Sequence, residues 1–381
     1  SLTSDPLVPA ANVGTLTMSG HIDADGIGSS DGGNVSLLAT DSTRFSGTIT
    51  ARGGTSGGRG GFVETSAKNN LDFGAGSVDA SGPGGSGEWL LDPTDITVDA
   101  ARAASIVSSL RAGTNVTLDT SGAGADAGDI TINAAILPNA TQAGQVDSPA
   151  TLTLSATRNI FINQSIIGSR MTMVLNAPGE TNIAADIAPG AGLTINTGTF
   201  TKNGTSVVSP FTGGPNSFAG TQTKFSLTTD PGNVAQGSGR IGGIDIFTIN
   251  PRTTGATITF GDDSTATGLV LTNNFLNSIR FLAGGLGARR TEIGSSTGGA
   301  IRFVGTVNIP AAMNIYTGNG VTFEDGSNAS FSASVGDFTT GGGGGSSIRL
   351  FGGSFVQMPT ARIRIFTGPA SLQIISDTFD I

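Results

Sequence analysis

The feature that most constrains this chain is a short unit repeated along its length. Three to five residues alternate apolar, polar, apolar, and a turn of Gly, Asn, Asp or Ser follows. Leu16-Thr17-Met18, Val35-Ser36-Leu37, Val116-Thr117-Leu118, Ile130-Thr131-Ile132 and Leu152-Thr153-Leu154 are examples from the first half. Ile258-Thr259-Phe260, Ile301-Arg302-Phe303, Val321-Thr322-Phe323 and Ile363-Arg364-Ile365 continue the series. Period-two alternation buries one face of a strand and wets the other. Strands this short cannot hold a sheet alone, and they are too many for one sandwich. Stacked as coils, each buries its apolar face against the coils before and after it. Related strands recur about 19 to 27 residues apart, close to the length of one coil. Val35, Phe62 and Trp89 open one such set, and Ile279, Ile301 and Val321 another. The pattern predicts an all-β fold, a right-handed parallel β-helix.

Two segments depart from this rhythm. Asp99 to Arg111 is Ala-rich and sets Ile106, Val107 and Leu110 at helical spacing, with Asp99 as N-cap and Gly113 as stop. One short helix is therefore expected near 100–111. The stretch 202–242 is rich in Gly, Ser, Thr and Pro and reads as an excursion or junction. It separates a β-helical block at 1–201 from a second at 243–381. The glycine run Gly341 to Gly345 reads as a loop tip.

Composition excludes several function classes. The chain has 60 Gly and only 12% charged residues, yet 37% hydrophobic residues with 20 Phe argue for a packed core over disorder. Net charge is −9, the only lysines are Lys68, Lys202 and Lys224, and Arg289-Arg290 is the only adjacent basic pair. A nucleic-acid partner needs a basic footprint, so none is expected. The absence of Cys removes disulfides, thiolate metal sites and cysteine nucleophiles, and suits a chain that crosses a membrane unfolded. No run approaches the roughly 18 apolar residues of a spanning helix. The chain opens at Ser1 without a signal peptide and reads as a mature or excised segment.

Candidate chemistry is sparse. His21, the sole histidine, precedes Asp23 and Asp25, but one His without a partner lacks triad or metal geometry. Aspartates gather in turns at Asp23/Asp25/Asp31, Asp126/Asp129, Asp262/Asp263 and Glu324/Asp325, where stacked oxygens offer a weak route to Ca²⁺. Plain turns are the simpler reading, and no cofactor, metal or catalytic residue is expected. The enzymatic alternative is a β-helical polysaccharide lyase or hydrolase using Asp262, Asp263, Arg280 and Arg302. Those arginines sit between two apolar strand residues, however, and with Arg349, Arg362 and Arg364 read as an exposed, solubilising ladder. Asn-x-Ser/Thr sequons at Asn34, Asn115, Asn139, Asn163, Asn203 and Asn328 are no more than a Ser/Thr-rich chain produces by chance.

One stretch is more specific. Phe45-Ser46-Gly47, Ala51-Arg52-Gly53-Gly54, Gly60-Gly61-Phe62-Val63-Glu64-Thr65-Ser66 and Trp89-Leu90-Leu91-Asp92-Pro93 follow one another in order. Physically, Gly60 and Gly61 allow close coil contact, Phe62 and Val63 supply packing, Trp89-Leu90-Leu91 forms an apolar cluster, and Asp92-Pro93 ends it in a rigid turn. Trp89 reads as a core anchor, in preference to a sugar-stacking platform. This run, with Glu64 and Thr65 in it, resembles the filamentous-haemagglutinin family of two-partner secretion exoproteins, particularly the high-molecular-weight adhesins. The resemblance covers residues 15–195, and beyond Lys202 only the strand rhythm remains. The Asn-Pro-rich motifs of the family's secretion domain are missing, so the chain resembles the shaft behind that domain. The resemblance implies secretion to the bacterial cell surface through an outer-membrane transporter of the two-partner type. It also implies adhesion to a host or cell-surface receptor or glycan, with the motif residues structural. A passive spacer presenting a distal toxin or binding tip is the other non-enzymatic alternative.

Overall fold

Strand pairing is parallel throughout the computed structural model. It describes residues 14–121, 128–138, 148–203, 207–208, 224–229, 234–236, 240–242, 246–263, 265–280, 290–309, 313–331, 346–350, 353–365, 372–375 and 379–380. The chain divides into two units, Ser1–Arg158 and Asn159–Ile381.

In the first unit the chain lays down three strands and then repeats them. The elements are β1 (Thr15–Met18), β2 (His21–Asp23), β3 (Asn34–Ala39), β4 (Ser42–Phe45), β5 (Thr48–Thr50), β6 (Phe62–Ala67), β7 (Asn70–Asp72), β8 (Ser77–Asp79) and β9 (Glu88–Asp92). After them come β10 (Ile96–Val98), α1 (Ala100–Ala112), β11 (Asn115–Asp119), β12 (Ile130–Ile132) and β13 (Ala150–Ser155). β1 pairs with β4 and β4 with β7; β2 pairs with β5 and β5 with β8. A third sheet runs β3-β6-β9-β11-β13, and β10 pairs with β12. Register places Val35, Val63, Trp89, Val116 and Leu152 in one column, and all but the first of these are fully buried. The sequence-based set of Val35, Phe62 and Trp89 is thus one residue out at its middle member. Phe62 lies opposite Asn34 and faces outward, because side chains alternate strictly and only Val63 falls on the inner face.

The expected helix is present as α1. Asp99 caps it, its carboxylate accepting from the Arg102 amide at 2.9 Å, and Gly113 ends it in the left-handed region with φ +96°. Ala103, Ile106 and Leu110 are buried, while Val107 is only half-buried. Two of the three sheets stop at this helix. The Ser105 hydroxyl donates to Phe73 O at 3.0 Å, and the amides of Val78 and Ala80 donate to Ser109 Oγ at 3.4 Å and Thr114 Oγ1 at 2.7 Å. Side-chain hydroxyls stand where the next strand's backbone would otherwise pair, so few edge groups go unbonded.

The second unit begins with β14 (Ile160–Ile162), β15 (Ile166–Gly168), β16 (Met171–Ile183), β17 (Ile187–Pro189) and β18 (Gly192–Lys202). β16 pairs with β18 along nearly its full length, with a bulge between Ala177 and Glu180. Within 202–242, the strands Val207–Val208, Lys224–Thr229, Val234–Gln236 and Arg240–Gly242 each join parallel pairs, such as Leu193 with Phe225 and Val208 with Ile241. Apart from Lys202 and Asn203, the rest of that stretch lies outside the described residues, as do Gly341 to Gly345. A second helix, α2 (Asn273–Ser278), was not expected; its six residues carry no helical repeat long enough to read. Ile301 pairs with Ile258 and Val321, whereas Ile279, which follows α2, pairs with Ile241 in another sheet. The expected set of Ile279, Ile301 and Val321 therefore splits.

In-register stacking sets the core chemistry. Phe260, Phe303 and Phe323 occupy one column, with ring centroids 4.7 and 4.3 Å apart and the second pair tilted by only 1°. That spacing is the distance between neighbouring strands, so identical aromatics stack face over face. Among the described residues Lys202 is the one ionisable side chain that is fully buried. It is wholly buried opposite Ile183 and Gln236, and no described residue offers its Nζ a hydrogen bond. Burial pushes its pKa down from the ordinary 10.5, against a smaller upward pull from Asp186.

A depressed lysine pKa means that the folded unit binds this proton less well than the unfolded chain does. Stability therefore rises as pH climbs from the folded pKa towards 10.5. Lys202→Met is expected to stabilise the chain by about 1–3 kcal/mol at pH 7 and to flatten that alkaline rise. Thermal melts of both proteins from pH 7 to 10 check this, and a less stable variant would refute it.

Candidate functional site

The motif residues meet on the first three of these three-strand repeats, or coils. After each second strand the chain makes a glycine-rich excursion closed by the same bond. Gly33, Gly61 and Gly87 donate their amides to Ala24 O, Ala51 O and Ala80 O, each at 2.7 Å. The excursions also bond to one another. Gly26 donates to Arg52 O at 2.7 Å, Gly54 to Ser30 O at 2.8 Å, Gly84 to Gly58 O at 2.9 Å and Gly60 to Gly85 O at 2.9 Å. Backbone lies directly on backbone here. A Cβ on Gly60 would stand 1.8 Å from Ala80 O, and one on Gly61 would stand 2.1 Å from Gly33 O. Gly54, Gly58, Gly60 and Gly61 are thus required by contact between coils, whereas Gly57, at φ +109° with nothing within 4 Å, is required by turn conformation.

Charge pins the same layers. Arg52 gives its amide to Asp25 Oδ1 at 2.7 Å, and its guanidinium reaches Asp25 Oδ2 through Nε at 2.9 Å and Nη2 at 2.6 Å. Burial works to raise the Asp25 carboxyl, but the hydrogen bonds and charge of Arg52 outweigh it and hold the group below its ordinary 3.8. Asp31 accepts from the Arg59 amide at 2.7 Å. Further along, Arg158 pairs with Asp129, whose own amide donates to Asp95 Oδ1 at 2.7 Å.

Behind this layer sits Trp89. It is wholly buried, with Phe45 and Phe73 edge-on at 6.1 and 5.7 Å, and its indole N–H donates to Thr65 Oγ1 at 3.0 Å. That bond explains a Thr on the inner face of β6, since a buried indole donor needs an acceptor. The indole is a core anchor and has no open face for a sugar. Alternation places Trp89 and Leu91 inward and Leu90 outward, so the three do not form one cluster. Phe62 and Glu64 share the outward face with Leu90, and Ser66 donates its hydroxyl to Glu64 Oε1 at 2.9 Å. Asp92 ends β9 half-buried, Pro93 is buried, and the Thr94 hydroxyl ties this corner to Lys68 O.

The remaining candidates separate. His21 is exposed on β2 opposite Thr48, and Asp23 accepts from the Asp25 amide at 3.0 Å. Asp126 lies outside the described residues, as do the side chains of Arg280 and Arg349. Among the described residues no three His, Asp or Glu side chains converge. Arg302 does approach Asp263, at 3.9 Å, but its closer partner is Glu324 at 2.8 Å, and Asp262 instead bonds Asn273. Hydrogen bonds from Thr265, chiefly, and the charge of Arg302 hold the Asp263 carboxyl low. Among the described side chains, the arginines of the expected ladder do not share one column. Arg302 stacks between Thr259 and Thr322, while Arg362 and Arg364 lie opposite Asn328 and Ser330 in a different sheet. The chain matches no known protein family's sequence profile, and no curated protein is significantly similar to it.

The pairs of Asp25 with Arg52 and Asp129 with Arg158 went unread in the sequence. Their separations, 27 and 29 residues, equal one coil and were the available signal.

Gly61→Ala is expected to cost roughly 1–3 kcal/mol or more by overpacking. Gly20→Ala, where nothing lies within 4 Å of the new methyl, is expected to stay within about 0.5 kcal/mol. Denaturant melts of the two variants decide whether glycine serves contact or mere flexibility. Trp89→Ala is expected to cost about 3–5 kcal/mol in the same assay. For Asp25, a depressed folded pKa gives a contribution complete above 3.8 and lost as pH falls through the folded value. Asp25→Asn is therefore expected to lower the melting temperature at pH 6 and to converge on the parent in strong acid.

Proposed function

We propose that the parallel sheets of each unit are faces of a right-handed β-helix, and that the chain is a shaft segment of a large secreted bacterial surface adhesin. One observation carries this reading: the first unit repeats a three-strand coil in register, 26 to 29 residues at a time, and the motif glycines and Trp89 fall at its stacking positions. The reading places the chain with the filamentous-haemagglutinin type of exoprotein, exported through an outer-membrane two-partner transporter to the cell surface. There a stack of coils gives reach and stiffness, and its polar outward faces and excursions offer contact area to a host receptor or glycan.

An enzymatic reading draws on one feature, Arg302 flanked by Glu324 and Asp263. All three are engaged with one another or with Thr265, so the structural role is preferred. Loss of polysaccharide breakdown in Arg302→Ala would reverse that preference.

Joined behind the secretion domain of a two-partner exoprotein and expressed with its transporter, the chain is expected to reach the outer surface intact. Surface labelling of whole cells measures this, and retention in the periplasm would count against the proposal. Attachment of the displayed chain to host cells then separates an adhesive shaft from a passive spacer.

A further inference from the structure

A cleft of about 180 Å³ opens in the first unit where β7 meets β10 and the start of α1. It exists because the coil pattern breaks there. β7 has β4 on one side, but the chain diverts into β10 and α1 before a fourth strand can pair with its other edge. Asn70 gives its amide to Asp41 O on the β4 side, at 3.1 Å. By the alternation of a parallel ladder, Leu71 points its own amide and carbonyl to the strandless side. Arg102 Nη2, 3.5 Å from Leu71 O, marks that side.

The floor of the cleft is apolar, built from Phe73, Pro93 and Ile96, all buried. Its rim is polar and exposed. The side chains of Asn70 and Thr97 bond to no described residue, and Asp95 uses only Oδ1, on the Asp129 amide. Arg102 lies over the Phe73 ring at 5.7 Å with its charge committed to Asp99 at 2.8 Å. An amide, a hydroxyl and a half-used carboxylate around an apolar floor suit a ring with hydroxyls on its edge and C–H groups on its face. The volume is below that of drug-sized pockets and admits one such ring. With Asp95 on the rim and the nearest cation already neutralised, an acidic ligand is disfavoured. An extended peptide is also disfavoured, because β7 offers three residues and Arg102 already occupies Leu71 O.

From this we infer that the cleft between β7, β10 and α1 binds a single neutral sugar ring, held by Asn70, Asp95 and Thr97. Its biological setting rests on the surface-adhesin reading, but the chemistry does not. Saturation-transfer NMR on the full chain tests it, with glucose, galactose, mannose and N-acetylglucosamine as probes. A uronate, a sialylated sugar and an extended peptide serve as competitors. At least one neutral sugar is expected to receive saturation, and Asn70→Ala/Thr97→Val to weaken it tenfold or more while the melting temperature holds. No transfer to any neutral sugar, an unaffected double variant, or displacement by the acidic sugars or the peptide would overturn the inference. Cell attachment unchanged in the double variant, together with lost sugar contact, supports the cleft and places adhesion elsewhere. Absent sugar contact with intact attachment removes the cleft and leaves the adhesin reading standing.

Discussion

Parallel, in-register stacking is the constraint on which the other features depend. When each coil lies on the last without a shift, every side chain sits one strand spacing, about 4.8 Å, from its counterpart. It must therefore tolerate a copy of itself or of its neighbour. Aliphatic columns do so by dispersion, and phenylalanines by stacking, as at Phe303 and Phe323. Asparagines do so by donating amide to carbonyl, as Asn196 does to its counterpart Asn176 at 2.8 Å. Like charges cannot, so Asp25 meets Arg52 and Asp129 meets Arg158. Where backbone meets backbone, only glycine fits.

The same constraint explains how the stacking is interrupted. Sheets end by hydrogen-bonding choice as much as by sequence length. α1 offers hydroxyls from Ser105 and Ser109, and Thr114 just beyond its end offers another, to the edges of two sheets, while the third continues through β11 and β13. Apolar packing beneath the helix, through Ile106 and Leu110, holds those hydroxyls in place. The interruption leaves a recess, with Phe73 shared between its floor and the Trp89 cluster.

Much of this was legible in the sequence. Alternation marked most strands of the first unit, and Asp99 and Gly113 bounded α1 correctly, because both signals are local. Register was less legible. Phe62 and Val63 are both apolar, and nothing local says which faces inward; the Thr65 bond to Trp89 settles it from the next coil. α2 escaped because six residues leave no period to detect. Leu90 was grouped with Trp89 and Leu91 because an unbroken apolar run hides its alternation. The charged pairs and the recess depend on contacts between coils, which only a known coil length reveals.

The turn carboxylates and amides share one asymmetry. Asp25 accepts from Arg52, Asp31 from Arg59, Asp95 from Asp129, Asn115 from Thr151 and Asn273 from Asn308. In every case the acceptor belongs to the earlier residue and the backbone donor to the later one. Each finished coil consequently presents a ready template to the coil that follows. Bonds of the opposite sense run from the Val78 and Ala80 amides to Ser109 and Thr114, so the asymmetry belongs to the turn carboxylates and amides and not to the stack as a whole.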